Sequence, residues 1–152
     1  MVAHTPELSA LRETSGGVLL RMTDDVGFGA VGAAWVLDEE SQAWHYLLIS
    51  PMIDSKGPRW VYERLLQVLH KLHLPEGITP LDIVIASPRQ INMRQLTQLG
   101  QIDRASVIRF NDIIINGMHV HYMAIYRMLP MKTHAGEQAT TFDARVRELM
   151  AA

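Results

Sequence analysis

Apolar and β-branched residues are concentrated around an Asn-Gly pair in the second half of the chain, from Ile113 to Arg127. Asn116 and Gly117 favour the two positive-φ positions of a type I′ turn, and the residues on both sides of them are typical of strands. We therefore predict a long β-hairpin here. We interpret the rest of the chain around this hairpin.

The two-residue turn also predicts the register of the hairpin. The expected cross-strand pairs are Ile115–Met118, Ile114–His119, Ile113–Val120 and Asp112–His121. One face of the hairpin should then be apolar and belong to the core: Ile113, Ile115, Met118, Val120, Tyr122, Ala124 and Tyr126. The other face is mixed, and it brings His119, His121 and Asp112 to the same side.

Upstream of the hairpin, three short apolar segments are separated by turn-forming residues. They span residues 17–22, 28–37 and 43–50, and short turns between successive strands are typical of an antiparallel meander. A Thr-Pro-Glu sequence at Thr5 predicts a short helix before them, ending near Glu13. We therefore expect a helical arm over residues 1–16, followed by three antiparallel strands.

Apolar residues at helical spacing predict a helix from Pro58 to about His73. The near-continuous apolar run from Leu81 to Ala86 predicts a strand that is buried on both faces. Ser87-Pro88 has the sequence of a helix start and predicts a second helix that ends near Leu99. A short strand at 107–110 and a terminal helix at 138–150 complete the set.

These elements follow the order βββ-α-β-α-β, with the hairpin and the terminal helix after it. Right-handed crossovers would place the strand at Leu81 parallel to a strand of the meander. We therefore expect a single domain over residues 1–152, of α/β or α+β class, with helices packed on a mixed β-sheet. Within it, residues 131–152 form a loop and the terminal helix. A chain of 152 residues can bury such a core without a metal or a disulfide.

Over residues 17–99 this order of elements resembles the ribonuclease H-like fold. In that fold, acids on the first strand, on the first helix and at the end of the fourth strand hold two metal ions that activate water. The resemblance implies that Asp24 and Glu63 supply the first two acids. The predicted fourth strand ends in Ala86-Ser87-Pro88-Arg89 and offers no third acid, so the implied nuclease site is degenerate.

The composition excludes several kinds of functional site. The chain has no cysteine, which excludes disulfides, thiolate zinc sites and a cysteine nucleophile, and which fits a reducing compartment. We find no secretory signal, and the longest apolar run, at residues 30–37, is far too short for a membrane span. We therefore expect a cytoplasmic protein without a membrane partner.

The net charge is −2, but the charges are unevenly distributed. Residues 1–54 contain 2 basic and 8 acidic residues, whereas residues 55–134 contain 10 basic and 5 acidic residues. Such segments either scatter over a folded surface or form a basic face for an anionic partner. Arg89, Asn92 and Arg94 follow the predicted buried strand at a helix start, where N–H groups favour anions, and they are candidate ligands for phosphate or nucleic acid.

The mixed face of the hairpin is a second candidate site. Asp112, His119 and His121 could supply three ligands to a divalent metal. The alternative is a polar outer face with an ordinary Asp–His pair. Because no further histidine can be assigned to this face, we favour the alternative and expect no cofactor.

Two classes of function are compatible with these observations. The first is a non-enzymatic binding or regulatory module that engages a protein or nucleic-acid partner through a basic surface and the hairpin, with a homo-oligomer formed through the hairpin or the terminal helix. The second is a hydrolase: a degenerate ribonuclease H-like nuclease with Asp24 and Glu63, or a metal-dependent enzyme at the His/Asp face of the hairpin. No Gly-x-Ser-x-Gly sequence supports Ser-His-Asp catalysis. We favour the binding module.

Overall fold

The computed structural model describes residues 7–38, 40–89, 102–115, 118–129 and 135–152 and contains both helices and strands. The described elements are α1 (Ala10–Asp25), β1 (Gly32–Leu37), β2 (Trp44–Ile49), α2 (Met52–Lys56), α3 (Pro58–Leu72), a 3₁₀ turn (Pro80–Asp82), β3 (Ile83–Ala86), β4 (Ile102–Ile115), β5 (Met118–Met128) and α4 (Ala135–Ala151). The strands form one mixed sheet in the order β3-β2-β1-β5-β4. This confirms the predicted α+β class.

The pairing of the strands follows from their connections. β2 and β3 are parallel, and α2 and α3 lie between them in the chain, as a crossover between parallel strands requires. The pairs β1–β2, β1–β5 and β4–β5 are antiparallel. The predicted parallel placement of the strand near Leu81 is therefore confirmed.

Helix α3 agrees with the predicted helix, because its sequence contains both a helix-start signal and an apolar stripe. Pro58 occupies the first turn, and four residues of the apolar stripe are buried: Val61, Leu65, Val68 and Leu69. Leu66 is partly exposed and Leu72 is 39% exposed. The terminal helix α4 is also present and is longer than predicted, and it buries Ala139, Phe142 and Val146. The stripes of both helices join the same core cluster.

The first strand of the predicted meander is wrong, because residues 17–22 lie inside helix α1. The helix begins after Ser9, whose hydroxyl accepts a hydrogen bond from the Arg12 N–H at 3.2 Å, and it continues through Gly16 and Gly17 to Asp25. The observed meander therefore consists of β1 and β2 alone. Its first strand begins at Gly32 rather than at residue 28.

Gly16 belongs to the helix because α1 approaches the sheet closely at this point. A Cβ atom at Gly16 would lie 2.7 Å from Nε1 of Trp35, and it would also overlap the hydroxyl of Tyr126. Glycine lowers helix propensity by about 1 kcal/mol relative to alanine. The close packing against two aromatic side chains outweighs that cost. A prediction made from the two glycines alone does not include this packing, and it therefore gives a strand.

Three aromatic side chains of the sheet donate hydrogen bonds to backbone carbonyls of α1. The pairs are Trp35 Nε1 with Arg12 O at 3.1 Å, the Tyr46 hydroxyl with Gly16 O at 2.8 Å, and the Tyr126 hydroxyl with Glu13 O. All three side chains are at most 1% exposed, and the Trp35 and Tyr46 rings pack edge to face with their centroids 5.2 Å apart. These bonds satisfy polar groups that burial would otherwise leave without partners.

The sheet is apolar on both faces. Buried residues of all four described α-helices belong to one cluster on the first face. On the second face, one row of paired residues crosses every strand: Val84, Leu47, Ala34, Ile125 and Ile108. This row explains why β1 and β2 contain near-continuous apolar sequence instead of simple alternation.

Three further predictions differ from the structure or concern residues outside its description. The strand predicted from Leu81 begins only at Ile83, because Thr79 and Asp82 form a capping box around a 3₁₀ turn that leaves Leu81 90% exposed. This strand lies at the edge of the sheet and leaves Val84 37% exposed, so its predicted burial on both faces is wrong. The predicted short strand at 107–110 is the middle of β4. The helix predicted to end near Leu99 lies mostly outside the described residues. None of the described helices has the length and apolar character that a membrane span requires.

We predict that Gly16→Ala destabilises the fold by about 1–3 kcal/mol, because the added methyl group overpacks the contact with Trp35 and Tyr126. Urea denaturation measures the effect. Gly136→Ala is the matched control, since Gly136 also lies in a helix but a Cβ atom added there would have no neighbouring atom within 4 Å. Equal stabilities of the two variants would contradict the proposed packing role of Gly16.

The buried phenols predict a loss of stability at alkaline pH. Burial raises the pKa of Tyr46 well above its usual range and also raises the pKa of Tyr126. An unfolded phenol ionises near pH 10, so the contribution of each group is complete below about pH 10 and falls as the pH rises towards the folded pKa. Tyr46→Phe should cost about 1 kcal/mol at neutral pH through the lost hydrogen bond.

The same variant should also lose less stability than the wild type between neutral and alkaline pH, because only one of the two buried phenols is left to ionise. Urea denaturation at both pH values compares the two proteins. Identical alkaline losses in wild type and variant would show that Tyr46 is not the group responsible.

Candidate functional site

The carboxyl ends of the parallel strands β2 and β3 each carry a buried serine followed by a proline. Ser50 is fully buried and its hydroxyl accepts from the Met52 N–H at 3.2 Å. Ser87 is 2% exposed, and its hydroxyl lies 2.8 and 2.9 Å from the two carboxylate oxygens of Asp54. Ser87 also accepts from the Arg89 N–H at 3.0 Å. Both hydroxyls therefore fix the backbone at the strand ends.

The turn at Ser87 leads directly into the predicted anion site. Arg89 is exposed directly after the Ser87 turn, whereas Asn92 and Arg94 lie outside the described residues. Asp54 was not among the predicted residues of this region. Its contact with Ser87 joins residues 33 positions apart, and no local pattern in the sequence indicates it. The Asp54 carboxylate at Ser87, two residues before Arg89, weakens the local preference for an anion.

The two acids that the ribonuclease H-like order implied are both engaged by arginines. Asp24 lies in α1 and accepts two hydrogen bonds from Arg127, at 2.7 and 2.8 Å. Glu63 lies in α3 and pairs with Arg59, one helical turn away, at 2.8 Å. Within the described part of the chain, no group of three or more His, Asp or Glu side chains could hold a metal ion.

The arginines of the basic segment are largely neutralised. Four of them pair with carboxylates: Arg59 with Glu63, Arg64 with Asp143, Arg109 with Glu13, and Arg127 with Asp24. Two of these carboxylates come from the acidic N-terminal segment, so folding mixes the two charge segments. The hydrogen bond from Arg64 also lowers the pKa of Asp143, which keeps that acid ionised beside it. These four arginines of the basic segment therefore carry charges that carboxylates balance.

Asp112, His119 and His121 are the predicted candidate metal ligands on one face of the hairpin. The predicted hairpin register is present, with Ile114 opposite His119 and Ile113 opposite Val120. The side chains of Asp112, His119 and His121 lie outside the described residues, so a metal site there stays a prediction. His45 lies on β2, which β1 separates from the hairpin, and its Nε2 is 3.8 Å from the Asp38 carboxylate.

The hairpin extends well beyond the rest of the sheet. The last described pair between β1 and β5 is Val36–Met123, yet the β4–β5 ladder continues from there to Ile115–Met118. Residues 111–115 and 118–122, which we call the hairpin arm, are therefore paired with each other and with no other described strand. Five residues of strand correspond to a projection of about 17 Å.

Helix α1 holds the base of the hairpin. Arg109 on β4 pairs with Glu13, and the Tyr126 hydroxyl on β5 donates to the carbonyl of the same residue. Arg127 pairs with Asp24 farther along α1. All of these contacts lie on the side of Met123 that pairs with β1, and Tyr122, the residue of the arm next to Met123, packs against the core cluster.

The composition of the arm makes its projection unusual. It contains Ile113, Ile114 and Ile115 in succession, and Met118 and Val120 on the return strand. A two-stranded hairpin by itself is only marginally stable in water, so apolar residues in this number favour contact with another surface. We therefore take the hairpin arm as the candidate functional site.

Comparison of the chain with protein-family models, with curated proteins and with solved structures finds no match. We therefore infer the function from the geometry and chemistry of the described residues. The sequence identified the hairpin and its register. The length of the arm could not be predicted, because it depends on where β1 ends relative to β5.

We predict that Asp24 stabilises the fold. Asp24→Asn should destabilise the protein by about 1–3 kcal/mol, because it leaves the largely buried guanidinium of Arg127, whose side chain is 14% exposed, without its charged partner. Glu63→Gln is the control and should cost far less stability, since its partner Arg59 is 91% exposed. Urea denaturation separates the two outcomes. Equal effects would indicate that the Asp24–Arg127 pair does not support the fold.

Proposed function

We propose that the protein is a non-enzymatic binding module whose partner is a protein, bound through the hairpin arm. One observation carries the proposal: residues 111–115 and 118–122 form a ladder that continues past the last pair with β1. A strand pair of apolar sequence that pairs with no other described strand can offer a partner its backbone edges and its apolar residues. Protein partners use both, by adding a strand or by covering the apolar face.

The charges favour a protein partner over nucleic acid. Between Arg109 and Arg127 the sequence contains no lysine or arginine, so the arm offers no cation to a phosphate backbone. Both of these arginines, at the base of the hairpin, pair with carboxylates of α1. A nucleic acid would have to compete with those acids, whereas an apolar protein surface would not.

The hydrolase alternative has less physical support. A two-metal nuclease site would require Asp24 and Glu63 to give up Arg127 and Arg59, and the Asp24 pair is partly buried. At the end of β3, Ser87 already bonds to Asp54. The buried residues there close the strand ends, whereas a catalytic cleft would have to leave them open to substrate.

Photo-cross-linking tests the binding proposal. We expect a chain carrying p-benzoylphenylalanine at position 114, in the arm, to form a discrete protein adduct in the cells that make it. The same group at position 81 is the control, because Leu81 is 90% exposed but lies outside the arm. Mass spectrometry identifies the adduct.

The result would overturn the proposal if position 114 gave no adduct, or gave only adducts that position 81 also gives. An adduct that nuclease treatment removes would replace the protein partner with a nucleic acid. A second probe at position 119, opposite 114 in the register, should give the same adduct.

A further inference from the structure

We propose that the Tyr62 hydroxyl closes the β3 edge of the sheet and so prevents a second copy of this chain from adding its own strand there. The contact is a protective device built into the fold. It goes beyond the proposed function and does not depend on it, because β3 and the hairpin strand β4 lie at opposite edges of the sheet. Three features of β3 support it: the direction of its backbone groups, the partners of those groups and its sequence.

The backbone of β3 presents alternate residues to its neighbour and to the free edge. β3 pairs in parallel with β2 and with no other described strand. The Ser50 N–H donates to the Ala86 carbonyl at 2.9 Å, so the backbone groups of Ala86 point towards β2. Because successive residues of a strand point their N–H and C=O groups to opposite sides, those of Ile83 and Ile85 point to the free edge.

Both N–H groups on this edge have acceptors within the chain. The Ile83 N–H donates to the Pro80 carbonyl of the 3₁₀ turn. The Ile85 N–H donates to the Tyr62 hydroxyl at 2.6 Å, across 23 positions of sequence. A strand that joins an edge uses such N–H groups as donors to its own carbonyls. The turn and Tyr62 therefore occupy the two donors that β3 would otherwise offer.

The sequence of β3 explains why such a closure is needed. The strand reads Ile83-Val84-Ile85-Ala86, without a charge, a glycine or a proline. Short apolar segments of high β-propensity pair with identical segments of other copies when their edge is open. Natural edge strands often carry a lysine that prevents this pairing, and β3 has none. The Tyr62 hydroxyl on the outward N–H takes the place of such a charge.

Helix α3 positions the Tyr62 hydroxyl. Tyr62 is partly buried and packs against the core cluster, and Val61 and Leu65 of the same helix are fully buried in that cluster. The packed helix therefore holds the phenol ring beside β3, with its hydroxyl on the Ile85 N–H. Val84, between the two outward residues, is 37% exposed, so a charge added at this position does not enter the core.

Tyr62→Phe tests the closure, because it keeps the aromatic ring and removes the acceptor of the Ile85 N–H. We expect the Ile85 amide to exchange with solvent about fivefold faster or more, measured by NMR relative to the Leu48 amide of strand β2. Light scattering should give a mass that rises above that of the wild type as the concentration increases. Circular dichroism and cooperative urea unfolding establish that the variant is folded.

Tyr46→Phe is the matched control. It also removes one phenol hydroxyl, but this hydroxyl donates to the Gly16 carbonyl inside the molecule and not to a sheet edge. The control should therefore change neither the ratio of the Ile85 and Leu48 exchange rates nor the mass in solution.

A double variant separates the closure from a purely stabilising role of Tyr62. Val84→Lys, added to Tyr62→Phe, should abolish the association, because the charge prevents β3 from pairing with another strand. It should leave the fast exchange of the Ile85 amide in place, since it restores no acceptor. A loss of stability alone would not divide these two effects.

Three results would each overturn the closure. In the wild type, the Ile85 amide might exchange as fast as the amide of the exposed residue Leu81. Tyr62→Phe might keep the exchange ratio and the mass of the wild type, or its association might persist after Val84→Lys. The first result needs no variant, so it decides the question even where Tyr62→Phe does not fold. Cross-linking through the hairpin arm tests the proposed function separately.

Discussion

The close approach of helix α1 to the sheet at Gly16 is the contact on which the other contacts of the fold depend. Because Gly16 has no side chain, the ring nitrogen of Trp35 and the hydroxyls of Tyr46 and Tyr126 can reach carbonyls inside the helix. Each of these donors is buried, so loss of its acceptor would cost about 1–3 kcal/mol. The three strands that carry these residues, β2, β1 and β5, are adjacent in the sheet. One helix therefore holds the centre of the sheet.

The position of α1 also determines how the hairpin is held. Once the helix lies over β1 and β5, Glu13 and Asp24 face the arginines of β4 and β5, and the base of the hairpin is attached by two ion pairs. The segments that look acidic and basic in the sequence then neutralise each other. This pairing removes the electrostatic basis for a nucleic-acid surface at that place.

The sequence predicts those features that depend on neighbours along the chain. The Asn116-Gly117 turn predicts the register from Ile113 to Val120, and the apolar stripe of α3 predicts that helix nearly to the residue. It does not predict features that depend on distant residues. The glycines near residue 16 suggest a break until Trp35 and Tyr126 are known to lie against them. In the same way, neither the Asp54–Ser87 bond nor the Asp24–Arg127 pair is visible in any local pattern, although both decide what the candidate acids can do.

The proposed binding function rests on a difference in strand length rather than on a cleft. β1 has six residues, whereas β4 and β5 have 14 and 11, so part of the longer pair extends past its pairing with β1. Beyond Tyr122, which packs against the core cluster, a ribbon of two strands contributes little stability by itself. Contact with another molecule gives this additional length a role. Among the described residues, the buried hydroxyls of Ser50 and Ser87 and the paired acids Asp24 and Asp143 are committed to the fold, so that contact is the activity that we propose.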